Sequence, residues 1–251
     1  MQSRALVLLL LVISSAVAQQ SNIQVSPIGS ADFDIRRTST PTYGGPPANA
    51  FISASDLAVP GRARKEFDKA TELTRRQELQ EAIKKLNKAI HLYPQYAVAY
   101  NNLAVIYGQL GDGLHEKEAL QRAISLKPTF ALGYLNLGRM EMKANNYPAA
   151  EPLLAKAAEL NPGDVNALVL LTYSEFMDNS FDAAIANSRK AHALQQAHAF
   201  AHRVAARAFE QEKRGAEAIA ELEAFLREEP SGPRAAAARQ EIEVVKTALP
   251  N

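Results

Sequence analysis

Ala97–Pro128 reads AVAYNNLAVIYGQLGDGLHEKEALQRAISLKP, and Ala131–Pro162 reads ALGYLNLGRMEMKANNYPAAEPLLAKAAELNP. Laid one under the other, the two stretches share a frame of 34 residues, and the frame extends both ways. Pro94, Pro128 and Pro162 stand 34 apart, the next step falls on Gln196, and the one after on Pro230. Small residues keep the same phase. Ala70, Ala104, Gly138, Thr172 and Ala206 hold one position. Ala82, Ala150, Ala184 and Ala218 hold a second, broken by Glu116. Ala89, Ala123, Ala157 and Ala191 hold a third, broken by Phe225. Bulky residues recur beside them: Leu103, Leu137 and Leu171; Tyr100, Tyr134 and Leu168; Leu73, Tyr107 and Phe209; Leu86, Leu120, Leu154 and Leu222. Five units run without insertion from Ala63 to Pro230, and a chance run of alanines does not hold phase that long.

This pattern resembles the tetratricopeptide repeat family, whose unit is 34 residues folded as two antiparallel helices. The physical logic is legible in the residues. Small side chains midway along each helix let two helices approach closely, and Leu and Tyr one turn away fill the seam. Proline at the end of a unit stops the second helix and turns the chain. The resemblance implies an all-α fold, a right-handed superhelical solenoid of about five helix pairs plus a C-terminal capping helix. Units start near residues 63, 97, 131, 165 and 199, within an array over 62–232. After Ser231-Gly232-Pro233, the residues Ala235, Ala238, Ile242, Val245 and Leu249 form one apolar stripe, which predicts a capping helix within 233–251.

Departures from the pattern carry their own expectations. In the first unit Glu66 and Lys69 stand where the family usually places bulky apolar residues, as expected of a terminal unit with one face in water. Gly111-Asp112-Gly113 is expected to loosen the turn inside the second unit. Pro148 suits a helix start, whereas Pro152 lies four residues further in and is expected to bend its helix.

Ahead of the repeats, Met1–Ala18 (MQSRALVLLLLVISSAVA) has one arginine, an apolar run and small residues at Ala16 and Ala18. That is the form of a signal peptide cut before Gln19, and the apolar stretch is short of the ~20 residues a spanning helix needs. The expectation is an exported chain, in a bacterial periplasm or cell envelope, with no transmembrane segment after cleavage. Residues 19–61 differ again. Pro, Gly, Ser and Thr fill 18 of the 43 positions, which predicts a disordered or extended leader. Ala50–Val59 (AFISASDLAV) is the exception, able to lie as an ordered segment against the first helix.

Composition narrows the chemistry. Of 251 residues, 28 are Lys or Arg and 27 Asp or Glu, a net charge of +1, which disfavours a nucleic-acid binder. The chain has no cysteine, so disulfides, thiolate zinc sites, iron–sulfur clusters and cysteine nucleophiles are excluded together. Its histidines are His91, His115, His192, His198 and His202. The last two are four apart, a spacing that can serve zinc, but His202 falls on the packing position of Tyr100 and Tyr134. The sequence therefore predicts no metal, no cofactor and no catalytic residue. Arg62, Arg64, Lys65, Lys69, Arg75, Arg76, Lys84, Lys85 and Lys88 make the first unit basic. It reads as a solvated cap, with an anionic lipid or polysaccharide as a weaker alternative.

Resemblance to the repeat family also implies a concave face lined by the first helix of each unit. The residues that fall on its lining positions are Asn101, Val105 and Gln109; Leu132, Leu135, Arg139, Met142 and Lys143; Asn166, Val169, Tyr173, Phe176 and Met177; Phe200, Arg203, Arg207 and Glu210. Asn102 and Asn136 fall where family members often bond a bound peptide backbone. Phe67, Thr71, Leu132 and Asn136 stand where carboxylate-gripping members carry Lys, Asn or Arg, so a C-terminal carboxylate clamp is not implied; only Asn102 matches. The implied groove therefore has an apolar centre of Leu135, Tyr173, Phe176 and Met177 flanked by Arg139, Lys143, Arg203 and Arg207. An alternative leaves Tyr173, Phe176 and Met177 as packing between helices. The expected function is a non-catalytic scaffold that holds a protein or peptide partner. A self-assembling scaffold, or a groove for a small ligand or saccharide of an envelope system, stands as the alternative.

Overall fold

The computed structural model describes residues 59–194 and 199–249. Met1–Ala18, read above as a signal peptide, and the expected leader up to residue 58 lie outside them. The described residues form eleven α-helices and no strand: α1 (Gly61–Arg75), α2 (Leu79–Leu92), α3 (Ala97–Leu110), α4 (Gly113–Leu126), α5 (Ala131–Lys143), α6 (Tyr147–Leu160), α7 (Val165–Met177), α8 (Phe181–Leu194), α9 (Ala199–Gln211), α10 (Gly215–Glu228) and α11 (Pro233–Ala248). Consecutive helices pack in order as five pairs, and α11 packs on α10. The first helices α3, α5, α7 and α9 also touch in succession, so they make an inner row.

The in-phase small residues are where the helices meet. Ala70, Ala104 and Ala206 are fully buried, as are Ala82, Ala150, Ala184, Ala218, Ala89, Ala123 and Ala191. Leu86, Leu120, Leu154 and Leu222 fill the seams beside them. The tolerance is tight at Gly138, where an added Cβ would stand 2.7 Å from Leu154 Cγ, so this pair of helices has no room even for alanine. The break at Glu116 is compensated in the same way. Its carboxylate lies where a Cβ on Gly108 would come within 2.6 Å of Oε1, so the longer side chain uses space the glycine leaves.

The turns repeat as faithfully as the helices. Gln77, Gly111, Asn145, Asn179 and Lys213 stand 34 apart, and all five adopt positive φ, between 57° and 78°. The next residue then donates its N–H five residues back: Glu78 to Leu73, Asp112 to Tyr107, Asn146 to Glu141, Ser180 to Glu175 and Arg214 to Phe209, at 2.8–2.9 Å. This is a Schellman closure in every unit, satisfying carbonyls that the helix end leaves open. It corrects the expectation for Gly111-Asp112-Gly113. The turn there is not loosened; Gly111 is the residue the left-handed position favours, and Asp112 caps α4 by accepting from the His115 N–H at 3.2 Å. Between units, Tyr96, Phe130 and Asp164 donate to the carbonyls of Tyr93, Lys127 and Asn161 at 2.9–3.1 Å, placing Pro94, Pro128 and Pro162 second in a four-residue turn that suits their fixed φ. Pro152 stands inside α6, which continues through it to Leu160.

Both ends depart from the middle. Glu66 is buried, not turned to water. Lys69 and Lys88 reach its Oε1 at 3.2 and 3.3 Å and Lys85 its Oε2 at 3.9 Å, so lysines of α1 and α2 neutralise it. Hydrogen bonding by Lys69, then by Lys88, holds its carboxyl below the usual range. At the other end Phe225 breaks the alanine series. Its fully buried ring packs with Ala206, Leu222, Ala238 and Ile242, large against small where the other units place small against large. In α11 small residues stand in for a sixth pair.

Candidate functional site

The inner row is built from helices with little polar face. In α7 every residue from Ala167 to Glu175 is buried, in α9 every residue from Ala201 to Phe209, and in α3 all but Tyr100 from Ala97 to Ile106. The second helices bury one stripe, for example Ala119, Leu120 and Ala123 in α4 and Ala150, Leu154 and Ala157 in α6. A helix buried around its circumference is one with neighbours on both sides.

Amides occupy the inner row at its N-terminal half. Asn136 on α5 donates from Nδ2 to Oδ1 of Asn101 on α3 at 2.9 Å, and Asn101 Nδ2 lies 3.4 Å from Asn102 Oδ1. Asn136 Oδ1 is buried with no hydrogen-bond partner among the described residues. Val105 and Leu135 are buried beside this ladder, as is Arg139 one turn on from Leu135. Burial weighs against the Arg139 charge and the Glu116 carboxylate works the other way. Burial likewise pushes Glu116 up, against the pull of Lys143 and Arg139. Lys143 itself is exposed at the helix end.

Aromatics follow on α7. The Tyr173 ring lies 6.1 Å from Tyr147 and 6.1 Å from Phe200. Its side chain is buried with Val169, and burial first, then Tyr147, pushes its hydroxyl up to about 12. Phe176 is half-buried, 5.7 Å from Phe181, and turns toward the α7–α8 seam. Met177 is exposed at the end of α7. Glu175, buried beside them, accepts from Asn187 Nδ2 at 2.7 Å, and burial raises its carboxyl to about 7.

Charge dominates α9. Arg203 Nη1 stands 3.4 Å from Glu241 Oε2 on α11, and Arg207 Nε 3.0 Å from Glu241 Oε1. Arg207 Nη1 donates to Glu210 Oε2 at 3.1 Å. All four side chains are about nine-tenths buried. The Arg203 guanidinium also sits over the Phe225 ring, 5.4 Å from its centre. Burial raises the Glu210 carboxyl, and the neighbouring Glu241 adds to the shift, to about 7. The two arginines therefore tie the last helix to the array through a carboxylate partner that the sequence pattern missed. Nothing in a 34-residue frame pairs positions across α11, because α11 is not a repeat.

Of the five histidines, His91 and His115 are exposed. His115 stacks on Tyr107 and bonds Asp112 Oδ2 at 2.6 Å. His198 lies outside the described residues. His202 is buried at the start of α9, with Nδ1 2.7 Å from Glu221 Oε2 on α10. In the first unit Arg75 and Arg76 pair with Glu72, and Lys84 with Glu81, so much of the basic cluster is matched locally. No described helix is long and apolar enough to cross a membrane.

Sequence models of tetratricopeptide and TPR repeats match residues 63–111, 97–130, and 117–165 with 135–191. A search of curated protein sequences finds no match. Among solved structures, YrrB, described as a TPR protein with an unusual peptide-binding site, superposes with a TM-score of 0.64 at 21% identity, over 76% of this chain and all of that one. A MamA protein superposes at 0.62 with 21% identity, over 67% and 92% of the two chains. MamA from Desulfovibrio magneticus RS-1 gives 0.62 and 18%, over 70% and 99%. The repeat models, the in-phase turns and the stacked helix pairs agree, and the chain belongs to the tetratricopeptide repeat family.

Proposed function

We propose that this chain is an exported, non-catalytic adaptor that holds an extended or helical segment of a protein partner against its inner helix row. The single observation that carries this reading is the amide ladder Asn101–Asn136. It leaves Asn136 Oδ1, a buried acceptor, without a donor among the described residues, and a peptide N–H is the donor that suits it. Along the same row Phe176 is half-buried and Met177 and Lys143 are exposed, and aromatic side chains are among those that anchor protein interfaces. The repeat architecture is an interaction scaffold, and YrrB, of the same fold, is described as having a peptide-binding site. Export rests on the Met1–Ala18 segment, whose small residues at Ala16 and Ala18 fit a signal peptidase.

The test is affinity capture from envelope extract with the wild-type chain and with Asn136→Leu and Lys143→Glu. Circular dichroism first confirms that each variant folds. A partner held by the wild type and lost by Asn136→Leu places it on the ladder. Equal capture by all three moves the interface off the inner row. The Tyr173→Ala, Phe176→Ala double variant is the weaker probe, because both rings pack against neighbouring helices and their loss lowers stability.

A further inference from the structure

We propose that His192, His202 and Glu228 form a binding site for a divalent transition metal, Zn²⁺ first among them, that pins three consecutive helices together. His192 lies in the last turn of α8, His202 in the first turn of α9, and Glu228 is the last residue of α10. One ligand atom from each, two imidazole nitrogens and a carboxylate oxygen, lies within 4.8 Å of the others. The two rings are 4.6 Å apart between centres. Glu228 Oε1 stands 3.6 Å from His192 Nδ1 and 3.5 Å from His202 Nε2. Those gaps are too wide for good hydrogen bonds. They are slightly longer than the edge of a tetrahedron of ligands around zinc, roughly 3.3–3.4 Å for bonds of about 2.0–2.1 Å, so small side-chain movements would close them on a metal.

Three further observations point the same way. His192 Nδ1 is a buried polar atom with no hydrogen-bond partner, and so is Oε2 of the Glu228 carboxylate whose Oε1 faces the two rings, which ordinary packing does not leave without a reason. Glu221 Oε2 lies 2.7 Å from His202 Nδ1, so that nitrogen is engaged by a carboxylate and Nε2, on the Glu228 side, is the one a metal would take. A carboxylate behind a histidine is the usual second layer of a zinc site, fixing the tautomer and raising the ligand's basicity. Finally, two helix C-termini, of α8 and α10, bring their partial negative charge to the same point, which favours a cation. Sequence spacing pairs His202 with His198, which lies outside the described residues; among the described residues the fold brings His202 to His192, ten residues back, across a helix boundary. Two imidazoles and a carboxylate are a donor set for zinc and its neighbours rather than for calcium or magnesium, and the fourth position is left for water.

The test uses the full chain after chelator treatment, titrated with ZnCl₂ by calorimetry and followed by thermal unfolding. We expect one saturable equivalent and a Tm that rises with zinc concentration. The same chain with Co²⁺ should show the visible absorption of a tetrahedral nitrogen–oxygen site. His192→Ala removes a side chain that is 42% exposed, and its fold is checked by circular dichroism. It should bind zinc at least tenfold more weakly and lose the cobalt bands. Glu228→Gln should do the same and serves if His192→Ala misfolds. Glu221→Gln should weaken binding by roughly 10–100-fold through the second layer. His115→Ala, on a separate histidine and carboxylate pair, should leave binding unchanged. Absence of a saturable equivalent in the wild type overturns the site, as does binding by His192→Ala or Glu228→Gln that equals the wild type.

Discussion

The inner faces of α5 and α9 occupy the same repeat positions yet solve burial by opposite means. Asn136 on α5 bonds the neutral amide of Asn101 in the preceding unit, and Arg139 feels the Glu116 carboxylate. Arg203 and Arg207, at the repeat positions of Leu135 and Arg139, meet Glu241 and Glu210. The difference follows from the neighbours. In the middle of the array a further helix pair always follows, so inner side chains can be modest amides and aliphatics. At the end the next pair is replaced by one helix, and a buried charge network joins it to the array. Repeat position tells which way a side chain points; what lies on the far side decides which chemistry works there.

The largest effect expected at this contrast comes from Glu241→Ala, which strips Arg203 and Arg207 of their shared partner. Removing one member of a buried ion network costs roughly 3–5 kcal/mol. Urea unfolding should show that loss, with early hydrogen exchange in α11. Unchanged stability would mean that Phe225, Ala238 and Ile242 hold α11 without the charges.

A smaller cost is expected in the middle. Asn136→Leu strands the Asn101 amide and should cost about 1–3 kcal/mol. The double replacement Asn101→Leu, Asn136→Leu should recover much of it, because both polar partners then leave together. A double-mutant cycle in denaturant measures this directly, and additive losses would break the ladder assignment.

Protonation sharpens the contrast further. Burial raises Glu175 and Glu210 to about 7 in the folded chain. Both then bind more protons folded than unfolded between about pH 4.5 and 7. Their contribution is fully present below the unfolded value and is lost as pH rises through 7. Glu175→Gln keeps an acceptor for Asn187, so at pH 8 it should melt roughly 2–4 °C above the wild type and at pH 4.5 show no gain. Equal shifts at both pH values would refute the assignment. Glu210→Gln should behave likewise unless Glu241 is removed first, since Glu241 is part of what raises it.

The smallest effect concerns the shared turn. Lys213 and Gln77 sit at positive φ where Gly111 does so freely, so Lys213→Gly should stabilise the fold by about 1 kcal/mol. Gly111→Lys should cost about as much. Thermal unfolding of the two variants tests whether the five turns are equivalent.

Much of the molecule was readable from one line of residues. Pro94, Pro128 and Pro162 with the alanine series give period, helix count and seams, because a small residue at a close crossing is demanded by sterics within a few residues of chain. The final helix was readable from the stripe Ala235 to Leu249. The meaning of single breaks was not. Glu66 read as a water-facing cap residue and is buried among lysines; Gly111 read as a loosening and is the favoured closure. In each case the deciding neighbour lies on another helix or in a backbone angle that composition does not display.

The inner row shows the same limit. Asn101, Asn102, Asn136, Tyr173 and the arginines were picked out by repeat position, but the Glu241 that engages two of them lies outside the frame, and Tyr147 comes from a second helix. The sequence by itself determined the repeat, its phase and its helical hairpins, since those depend on local sterics recurring every 34 residues. Only the tertiary structure decided which charges share a partner and which histidines converge. Those depend on distances between residues far apart in the chain, and close packing of helices, not sequence spacing, sets such distances.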